Sequence, residues 1–346
     1  MANFEWVFNA LGLRDWCDSG ASGGVAAPPS MADLMAKANG GAPETTLWDT
    51  PFPSMDVLND ACPAFPQSRA VSQGLEHGFL DIKGALSMVL DPITQPLSWA
   101  LEGALWLFEH TPWWIMIPLL ALIALKVSRS WMLGGFVAGA FVALAFIDYY
   151  SYTMQTLAII MVCTVICVLL GVPIGIAMAR SDRCQNALTP VLDMLQTLPP
   201  FVYLIPLIFL FSVTEPKLYG IAIILYAIVP VVRLTNLGIR LVDREVIEAA
   251  DAFGMTKRQK LFSVQIPLAL PNIMAGVNQT IMMSLAMVVI ASLVSAPGLG
   301  VLVLRGIRNL ELGVGLLSGL GIVLLAVILD RCTKAALARV NAAQKH

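Results

Sequence analysis

Long apolar runs separated by short polar connections characterise the chain from residue 112 to its carboxyl end. A bilayer core of roughly 30 Å requires about 20 mainly apolar residues in each crossing helix. The pattern therefore predicts an all-α, polytopic membrane protein with about seven transmembrane helices, the first two being short. The predicted spans are residues 112–127, 131–147, 152–178, 190–212, 218–233, 272–294 and 312–329.

The first 111 residues have a different pattern. Residues 1–90 are rich in Gly, Pro, Ser, Ala and Asp, and they offer too little apolar surface to offset the entropy of ordering, so we expect a flexible tail. Within residues 91–111, Leu97, Leu101 and Leu105 recur at helical spacing. This stripe predicts an amphipathic helix at the membrane interface, with a short soluble amphipathic helix as the alternative.

Composition supports the membrane assignment and adds a charge asymmetry. Hydrophobic residues make up 58% of the chain and charged residues 13%, which excludes an ordinary soluble domain. Residues 1–110 hold 13 acidic and 4 basic side chains, whereas the remainder holds 10 acidic and 17 basic ones. An acidic head argues against nucleic acid or anionic lipid as the partner of that head.

Basic residues in the connections predict the orientation of the chain. If seven spans cross, 14 Lys and Arg residues fall on one side, and only Lys217, Arg305 and Arg308 fall on the other side beyond residue 110. Connections rich in Lys and Arg remain in the cytoplasm, so we expect an external amino terminus and a cytoplasmic carboxyl terminus. Arg305 and Arg308 lie in a polar turn, for which we expect an external or re-entrant half-helix.

No catalytic or metal-binding constellation is evident in the sequence. Six cysteines are scattered along the chain, and Cys163 and Cys167 would share one helix face. Because no His or carboxylate accompanies that pair, we expect packing as small apolar side chains rather than a metal site or other cysteine chemistry.

The segment EAADAFGMTKRQKLFSVQIPLALP, residues 248–271, places five charges together in a chain with few of them. Good helix formers lead to Gly254, which favours a helix end or a sharp turn. A second helical stretch, Lys257–Val264, is expected to stop before Pro267. The pattern predicts two short cytoplasmic helices joined by a sharp turn at the glycine. The segment is then either a solvent-exposed loop or a surface that binds another protein.

This segment resembles the cytoplasmic signature of the permease subunits of bacterial ATP-binding-cassette (ABC) importers. In that signature EAA, three residues, Gly, nine residues and I-x-L-P follow one another. Here Glu248, Ala249 and Ala250 precede Gly254 at the same spacing, and residues 264–267, VQIP, replace I-x-L-P with two conservative changes. In the family this is the coupling helix that docks into the ATPase subunit.

The resemblance extends over roughly residues 95–335 to the glycine betaine/proline betaine branch of these permeases, in segments such as LDMLQTLPPFVYLIPLIFLF and GIVLLAVILDRCTKA. It implies the type I ABC importer permease fold in the bacterial inner membrane. The implied parts are a periplasmic acidic tail (1–90), an interfacial helix (91–111), two amino-terminal transmembrane helices (112–147), a core permease domain (148–335) with a cytoplasmic coupling loop (234–271), and a cytoplasmic tail (336–346). The implied coupling residues are Glu248, Ala249, Ala250, Gly254, Ile266 and Pro267.

The resemblance also implies partners. The sequence contains no phosphate loop of the form G-x-x-x-x-G-K-[ST], so a separate cytoplasmic ATPase subunit would bind ATP and magnesium, while this chain binds no cofactor and is not an enzyme. A periplasmic substrate-binding protein, a second copy of this chain and membrane lipid complete the implied assembly, which includes no nucleic acid.

Five residues in or near the spans are candidates for the substrate pathway. The faces of Phe201, Tyr203 and Tyr226 would attract a methylated ammonium by up to about 2 kcal/mol, and Asn278 and Gln279 would bind a carboxylate. The alternatives are core or interfacial packing for the aromatics and helix-to-helix hydrogen bonding for the amides. Other small solutes, such as choline, proline or a sulfonium osmolyte, remain open as substrates, and an osmosensitive channel is the alternative from another class.

Overall fold

Residues 4–19 and 52–344 are described by the computed structural model of the chain, and their regular structure is helical throughout. The helices are α1 (Glu5–Ala10), α2 (Arg14–Ser19), α3 (Met55–Ala61), α4 (Ser68–His110), α5 (Trp113–Ser128), α6 (Trp131–Phe146), α7 (Tyr150–Arg180), α8 (Asp182–Thr197), α9 (Pro200–Leu210), α10 (Pro216–Arg240), α11 (Arg244–Ala252), α12 (Lys257–Lys260), α13 (Ile266–Ala291), α14 (Leu299–Arg308) and α15 (Leu312–Gln344). A π-helical turn, Leu261–Gln265, joins α12 to α13. The chain divides into two units, Met1–Ala85 and Leu86–His346.

A disulfide bond between Cys17 and Cys62 closes the amino-terminal unit. Both cysteines are buried together with Phe8, and the ring of Phe65 lies 5.9 Å from that of Phe8 and 5.8 Å from that of Trp16. The packing expectation concerned Cys163 and Cys167, which are buried free thiols, and the sequence pattern gave no sign of the Cys17–Cys62 bond. The two residues are 45 positions apart, so no local spacing rule pairs them.

Helical structure in the amino-terminal unit begins earlier than the sequence predicts. Helix α4 starts at Ser68, inside the stretch expected to be flexible, and continues through the predicted interfacial helix at 91–111 to His110. The Asp56 carboxylate accepts hydrogen bonds from the hydroxyl and the backbone amide of Ser68 at 2.7 and 2.8 Å. These bonds lower the pKa of the Asp56 carboxyl and satisfy an amide at the start of the helix. Residues 20–51 of the expected tail lie outside the described residues.

Four helical runs in the described chain are long and apolar enough to cross a membrane, namely Tyr150–Arg180, Pro216–Arg240, Lys257–Val294 and Leu312–Arg339. Two more crossings are bent pairs: α4 with α5, at 111°, and α8 with α9, at 98°. The second bend falls at Pro199 and Pro200, where proline excludes a continuous helix. The structure thus supports four to six crossings by length and composition, fewer than the expected seven.

The shortfall comes from the amino-terminal part of the larger unit. Helix α6 has 16 residues, or about 24 Å of helix, which is shorter than a bilayer core of roughly 30 Å. Helices α5 and α6 pack together against α7 and α15, and Met116, Phe141, Leu157 and Leu325 are buried at the centre of that contact.

Helices α7, α10 and α13 form the centre of the larger unit. A Cβ atom at Gly171 would lie 2.4 Å from Cγ1 of Val231, and one at Gly175 would lie 2.6 Å from Cβ of Thr235. Small residues four positions apart allow this close backbone approach in membrane proteins. The two glycines of α7 therefore set its distance from α10.

A buried cation stands at the start of α10. The Lys217 ammonium donates to Asp91 of α4 at 2.8 Å and contacts Glu215 at 3.0 Å, and the Lys217 side chain is only 5% exposed. The ammonium also lies 5.3 Å from the centre of the Phe211 ring. A buried charge requires such partners, and the contact ties α4 to α10.

The polar turn that contains Arg305 and Arg308 forms helix α14. The side-chain amide of Asn309 donates a hydrogen bond to the Glu311 carboxylate at 3.1 Å, and the Arg305 guanidinium contacts that carboxylate at 3.0 Å. Both contacts lower the pKa of the Glu311 carboxyl. Helix α14 folds back against α15, with Gly306 so close to Gly315 that a Cβ at Gly306 would lie 2.6 Å from the Gly315 Cα.

Candidate functional site

Helix α11 carries the acidic half of the predicted coupling segment. Its N-cap is Asp243, whose carboxylate accepts a hydrogen bond from the Glu245 backbone amide at 3.0 Å and so stabilises the start of the helix. Glu248 and Ala249 are exposed, whereas Ala250 is buried. Arg244 donates to Glu248 at 2.9 Å, with both side chains largely in solvent. The helix therefore presents one small, polar face outward.

The chain turns sharply at Gly254. Its backbone has a φ of +73°, and a Cβ atom there would meet nothing within 4 Å. The Gly254 amide donates to the Asp251 carbonyl and the Met255 amide to the Ala250 carbonyl, so the last carbonyls of α11 are satisfied. Glycine is favoured here by the left-handed backbone alone and not by crowding.

An ion pair joins the two sides of this turn. The Lys260 ammonium lies 2.6 Å from one carboxylate oxygen of Asp251 and 2.8 Å from the other. An exposed ion pair contributes about 0–1 kcal/mol to stability. The Lys260 side chain is only 18% exposed, so water screens this pair less than a fully exposed one. The pair holds α11 and α12 in a fixed relation across Gly254.

The second helix of the segment does not end before Pro267, contrary to the sequence-based expectation. Thr256 and Gln259 form a reciprocal capping box at the start of α12, and the helix then continues through the π-helical turn into α13. A π turn locally widens the backbone, and Pro267 lies in the first turn of α13. The missing amide and the ring of the proline are thus accommodated without a break.

The segment is anchored to two of the central helices. Ile266 packs against a buried cluster formed by Ile239 of α10 with Ala269 and Ile273 of α13. Leu261, in the π turn, is also buried. Helix α11 is thus joined, through the turn at Gly254, to a capped helical run that is long and apolar enough to cross a membrane.

The three aromatic candidates for the pathway do not lie in one place. Tyr203 is buried in the core cluster that Tyr226 packs against, and the Tyr203 hydroxyl contacts the Met287 sulfur at 4.0 Å. Phe201 is 52% exposed, at the bend between α8 and α9. The structure brings the two tyrosines to one cluster and leaves the phenylalanine outside it.

The two amide candidates also point in different directions. Asn278 donates to Asp330 at 3.2 Å and accepts a hydrogen bond from the Thr333 hydroxyl, so it joins α13 to α15. Gln279 is exposed. The Asn278 contacts correspond to the alternative of helix-to-helix hydrogen bonding. Sequence reasoning missed Asp330 as the acceptor, although a carboxylate beside the end of the last predicted span was a usable signal.

Comparison with known proteins gives the family of this chain. Residues 171–343 match the family described as "Binding-protein-dependent transport system inner membrane component". The glycine betaine/proline betaine transport system permease protein ProW of Escherichia coli (strain K12) is 39% identical over 290 residues, which are 84% of this chain and 81% of that protein. The chain belongs to this family of inner-membrane permeases.

Two further similarities agree with that assignment. The permease is 41% identical over 247 residues to the glycine betaine/carnitine transport permease protein GbuB of Listeria monocytogenes serotype 1/2a (strain 10403S), covering 70% of this chain and 87% of that protein. Its fold is similar to a chain of the MetNI methionine ABC transporter in an inward-facing conformation, with a TM-score of 0.50 and 17% identity over 56% of this chain and 95% of that chain. The permease has the type I ABC importer fold and is a multi-pass protein of the inner membrane.

Within the permease, the family match contains α11, the turn at Gly254 and α13, whereas the disulfide-bonded unit lies outside it. The coupling segment therefore belongs to the part of the molecule that the family shares.

Proposed function

We propose that this permease is the subunit through which an ABC importer takes up glycine betaine/proline betaine-type osmoprotectants across the inner membrane. The observation that carries the proposal is its 39% identity, over 84% of the chain, to a glycine betaine/proline betaine permease. Another similar protein is named for glycine betaine and carnitine. Carnitine, like the betaines, is a small zwitterion with a methylated ammonium.

The energy for uptake comes from a separate ATPase subunit that binds ATP and magnesium. Its docking surface on this chain is formed by Glu248, Ala249, Ala250 and Gly254, where two small side chains permit close approach and the carboxylate is exposed. Closure of two ATPase subunits would move this surface, and Ile266 and Pro267 lie where that motion enters α13. The pathway itself forms between two copies of this chain.

A periplasmic substrate-binding protein delivers the solute to the outer side of the permease. An external amino terminus and a cytoplasmic carboxyl terminus fit this arrangement, and two features of the chain support them. Connections rich in Lys and Arg favour the cytoplasm, and the Cys17–Cys62 disulfide favours an oxidising compartment such as the periplasm.

Aromatic side chains are the groups in this chain that suit a methylated ammonium. We assign that contact to Tyr203 and Tyr226, which share one core cluster, with Phe201 at the bend between α8 and α9 as a contact reached from the surface. We assign Asn278 and Gln279 to the carboxylate of the solute. For Asn278 this requires that its hydrogen bonds to α15 open during transport.

Uptake of labelled glycine betaine tests the proposal. The permease is expressed with its ATPase and binding protein in bacterial cells that lack other betaine uptake systems, and internal solute is measured against the external concentration. Accumulation above the external concentration that stops when ATP is depleted is the expected result. Flux that only equalises the two concentrations would instead identify a channel.

Competition identifies the substrate. Unlabelled proline betaine and carnitine are expected to inhibit uptake strongly, and choline, proline and a sulfonium osmolyte are the alternatives to compare. If one of these three competes at lower concentration than glycine betaine, the permease serves that solute instead.

A further inference from the structure

An apolar groove in the larger unit lies between α5, α7 and α15. Its volume is about 440 Å³, within the roughly 300–1,000 Å³ range of small-molecule sites. Apolar side chains line it almost completely, and the hydroxyl of Thr333, its one alcohol among the described lining residues, is bonded to Asn278 and the Leu329 carbonyl. Apart from the Cys332 thiol, a weak hydrogen-bonding group, the described lining offers no free polar side chain to orient a water-soluble ligand.

Each of the two main helices contributes one continuous stripe to the groove. On α5 the lining residues recur three or four positions apart and end at Val127, and on α15 they end at Ala336. Side chains at that spacing share one helix face. Lys126 stands beside the end of the first stripe, and Arg339 lies one turn beyond the end of the second.

Beyond the ends of these two stripes, Lys126 and Arg339 lie together with a third cation, Arg129. Lys126, Arg129 and Arg339 line a second cavity of about 530 Å³ together with Leu125 and Trp131. Arg129 ends α5 with a left-handed backbone, φ +53°, which turns the chain toward α6. Among the described residues, no carboxylate forms an ion pair with any of the three cations.

The Asp330 carboxylate of α15 already has partners of its own. Asp330 of α15 pairs with Lys334 at 2.7 Å and accepts from Asn278 at 3.2 Å, and it lies beside Arg331. Among the described residues, the three cations therefore have no carboxylate partner, and they lie at the ends of the helices that line the apolar groove.

Exposed tryptophans place the groove at membrane depth. Trp131 is 83% exposed beside the cations, and Trp113, at the other end of α5, is 61% exposed. Tryptophan is enriched at both membrane–water interfaces. Tryptophans at both ends of α5 favour a depth at which the groove faces the hydrocarbon layer and the three cations face the lipid headgroups.

We propose that this groove and its three cations form a binding site for one anionic phospholipid. An acyl chain fills the apolar groove, and the phosphate is held by Lys126, Arg129 and Arg339. Basic pockets between transmembrane helices on the cytoplasmic side are suited to anionic headgroups, and the prediction of cytoplasmic Lys- and Arg-rich connections places the cations on that side.

Other occupants match only half of the site. A zwitterionic lipid supplies the acyl chain but no net charge, and inorganic phosphate supplies the charge but nothing apolar. A helix from a second copy of this chain would fill the groove and leave three cations without counter-charge. An anionic phospholipid satisfies both parts.

Photo-crosslinking tests the site in the full-length permease, purified with its ATPase partner in mixed micelles. The probe is phosphatidylglycerol with a diazirine near the end of one acyl chain, and the crosslinked peptides are mapped by mass spectrometry. Labelling is expected in α5 between Met116 and Val127 and in α15 between Leu325 and Ala336. The matching phosphatidylcholine probe is expected to label these peptides far less.

Charge variants separate the site from a general preference for basic surfaces. The variant Lys126→Gln/Arg339→Gln is expected to require a roughly 30-fold higher concentration of probe for half-maximal labelling, since each cation contributes about fivefold. The matched control is Arg180→Gln/Arg183→Gln, which removes two cations from another predicted cytoplasmic connection and leaves the labelling of α5 and α15 unchanged. Equal labelling of the first variant and the wild type, or an equal loss in both variants, overturns the proposal.

A size variant and two competitors test the remaining parts. Ala336→Phe narrows the groove without changing charge, and it is expected to reduce acyl-chain labelling while the variant elutes with its ATPase partner as the wild type does. Inorganic phosphate is not expected to displace the probe. Displacement by phosphate alone, or a crosslink from Cys332 of one copy to α5 of another in place of lipid labelling, would refute the lipid assignment. These readouts require no transport, so their failure is distinct from failure of the uptake experiment.

Discussion

The conformation of a single residue, Gly254, determines whether the coupling segment can turn. Its φ of +73° lies in the left-handed region, and open space surrounds the position of a Cβ. A substitution at this position therefore acts through the backbone and not through a clash. For most L-residues the left-handed conformation costs about 1–2 kcal/mol, whereas Asn tolerates it.

We expect Gly254→Val to uncouple solute uptake from ATP hydrolysis, because a β-branched residue disfavours the turn that positions α11. Uptake and ATPase activity are measured on the same assembled complex. Gly254→Asn is the matched control and is expected to retain most of the coupling. If valine and asparagine behave alike, the left-handed backbone is not required for coupling.

At the scale of elements, the packing of α7 on α10 depends on the absence of side chains at two positions of α7. A Cβ at Gly175 would lie 2.6 Å from Cβ of Thr235 and 2.7 Å from the Val232 carbonyl oxygen. Because the second contact is with backbone, a larger residue must displace a whole helix. These two helices also carry part of the core that Tyr203 and Tyr226 share.

We expect Gly175→Leu to destabilise the permease by about 1–3 kcal/mol, the usual cost of overpacking a core, or by more where backbone must move. Thermal unfolding in detergent micelles measures the change. The control is Gly139→Leu on α6, where a Cβ would meet nothing within 4 Å. A similar melting temperature for the two variants would argue against close packing of α7 on α10.

At the scale of the whole molecule, the Cys17–Cys62 disulfide bears on the orientation that we propose for the chain. The Cys17–Cys62 disulfide closes a loop of 45 residues, which corresponds to roughly 4 kcal/mol in the chain-entropy model. Such bonds persist in oxidising compartments. The proposed orientation therefore has a direct chemical test in the thiols of the chain.

In intact cells, we expect a membrane-impermeant maleimide to label Cys17 and Cys62 only after treatment with an impermeant reductant. Cys184, a free thiol in the first turn of α8, is the internal control and is expected to stay unlabelled until the cells are opened. Labelling of Cys184 in intact cells, with Cys17 and Cys62 protected, would reverse the orientation.

Local patterns were sufficient for much of this protein. The apolar runs identified the regions of the long helices, and the spacing from Glu248 to Gly254 identified the coupling segment, since both depend on residues that are close in sequence. The same kind of reasoning failed at Pro267, because the effect of a proline depends on the backbone before it. The π turn at Leu261–Gln265 is a feature that no residue pattern announced.

The sequence by itself determined the class of protein and the family, and it located the segment that we propose as the ATPase docking surface, because hydropathy, charge and motif spacing are properties of neighbouring residues. Only the tertiary structure decided which distant groups meet: Cys17 with Cys62, Asn278 with Asp330, and the stripes of α5 and α15 with the three cations at their ends. These contacts depend on how helices are placed in space, and helix placement is set by packing summed over the whole molecule.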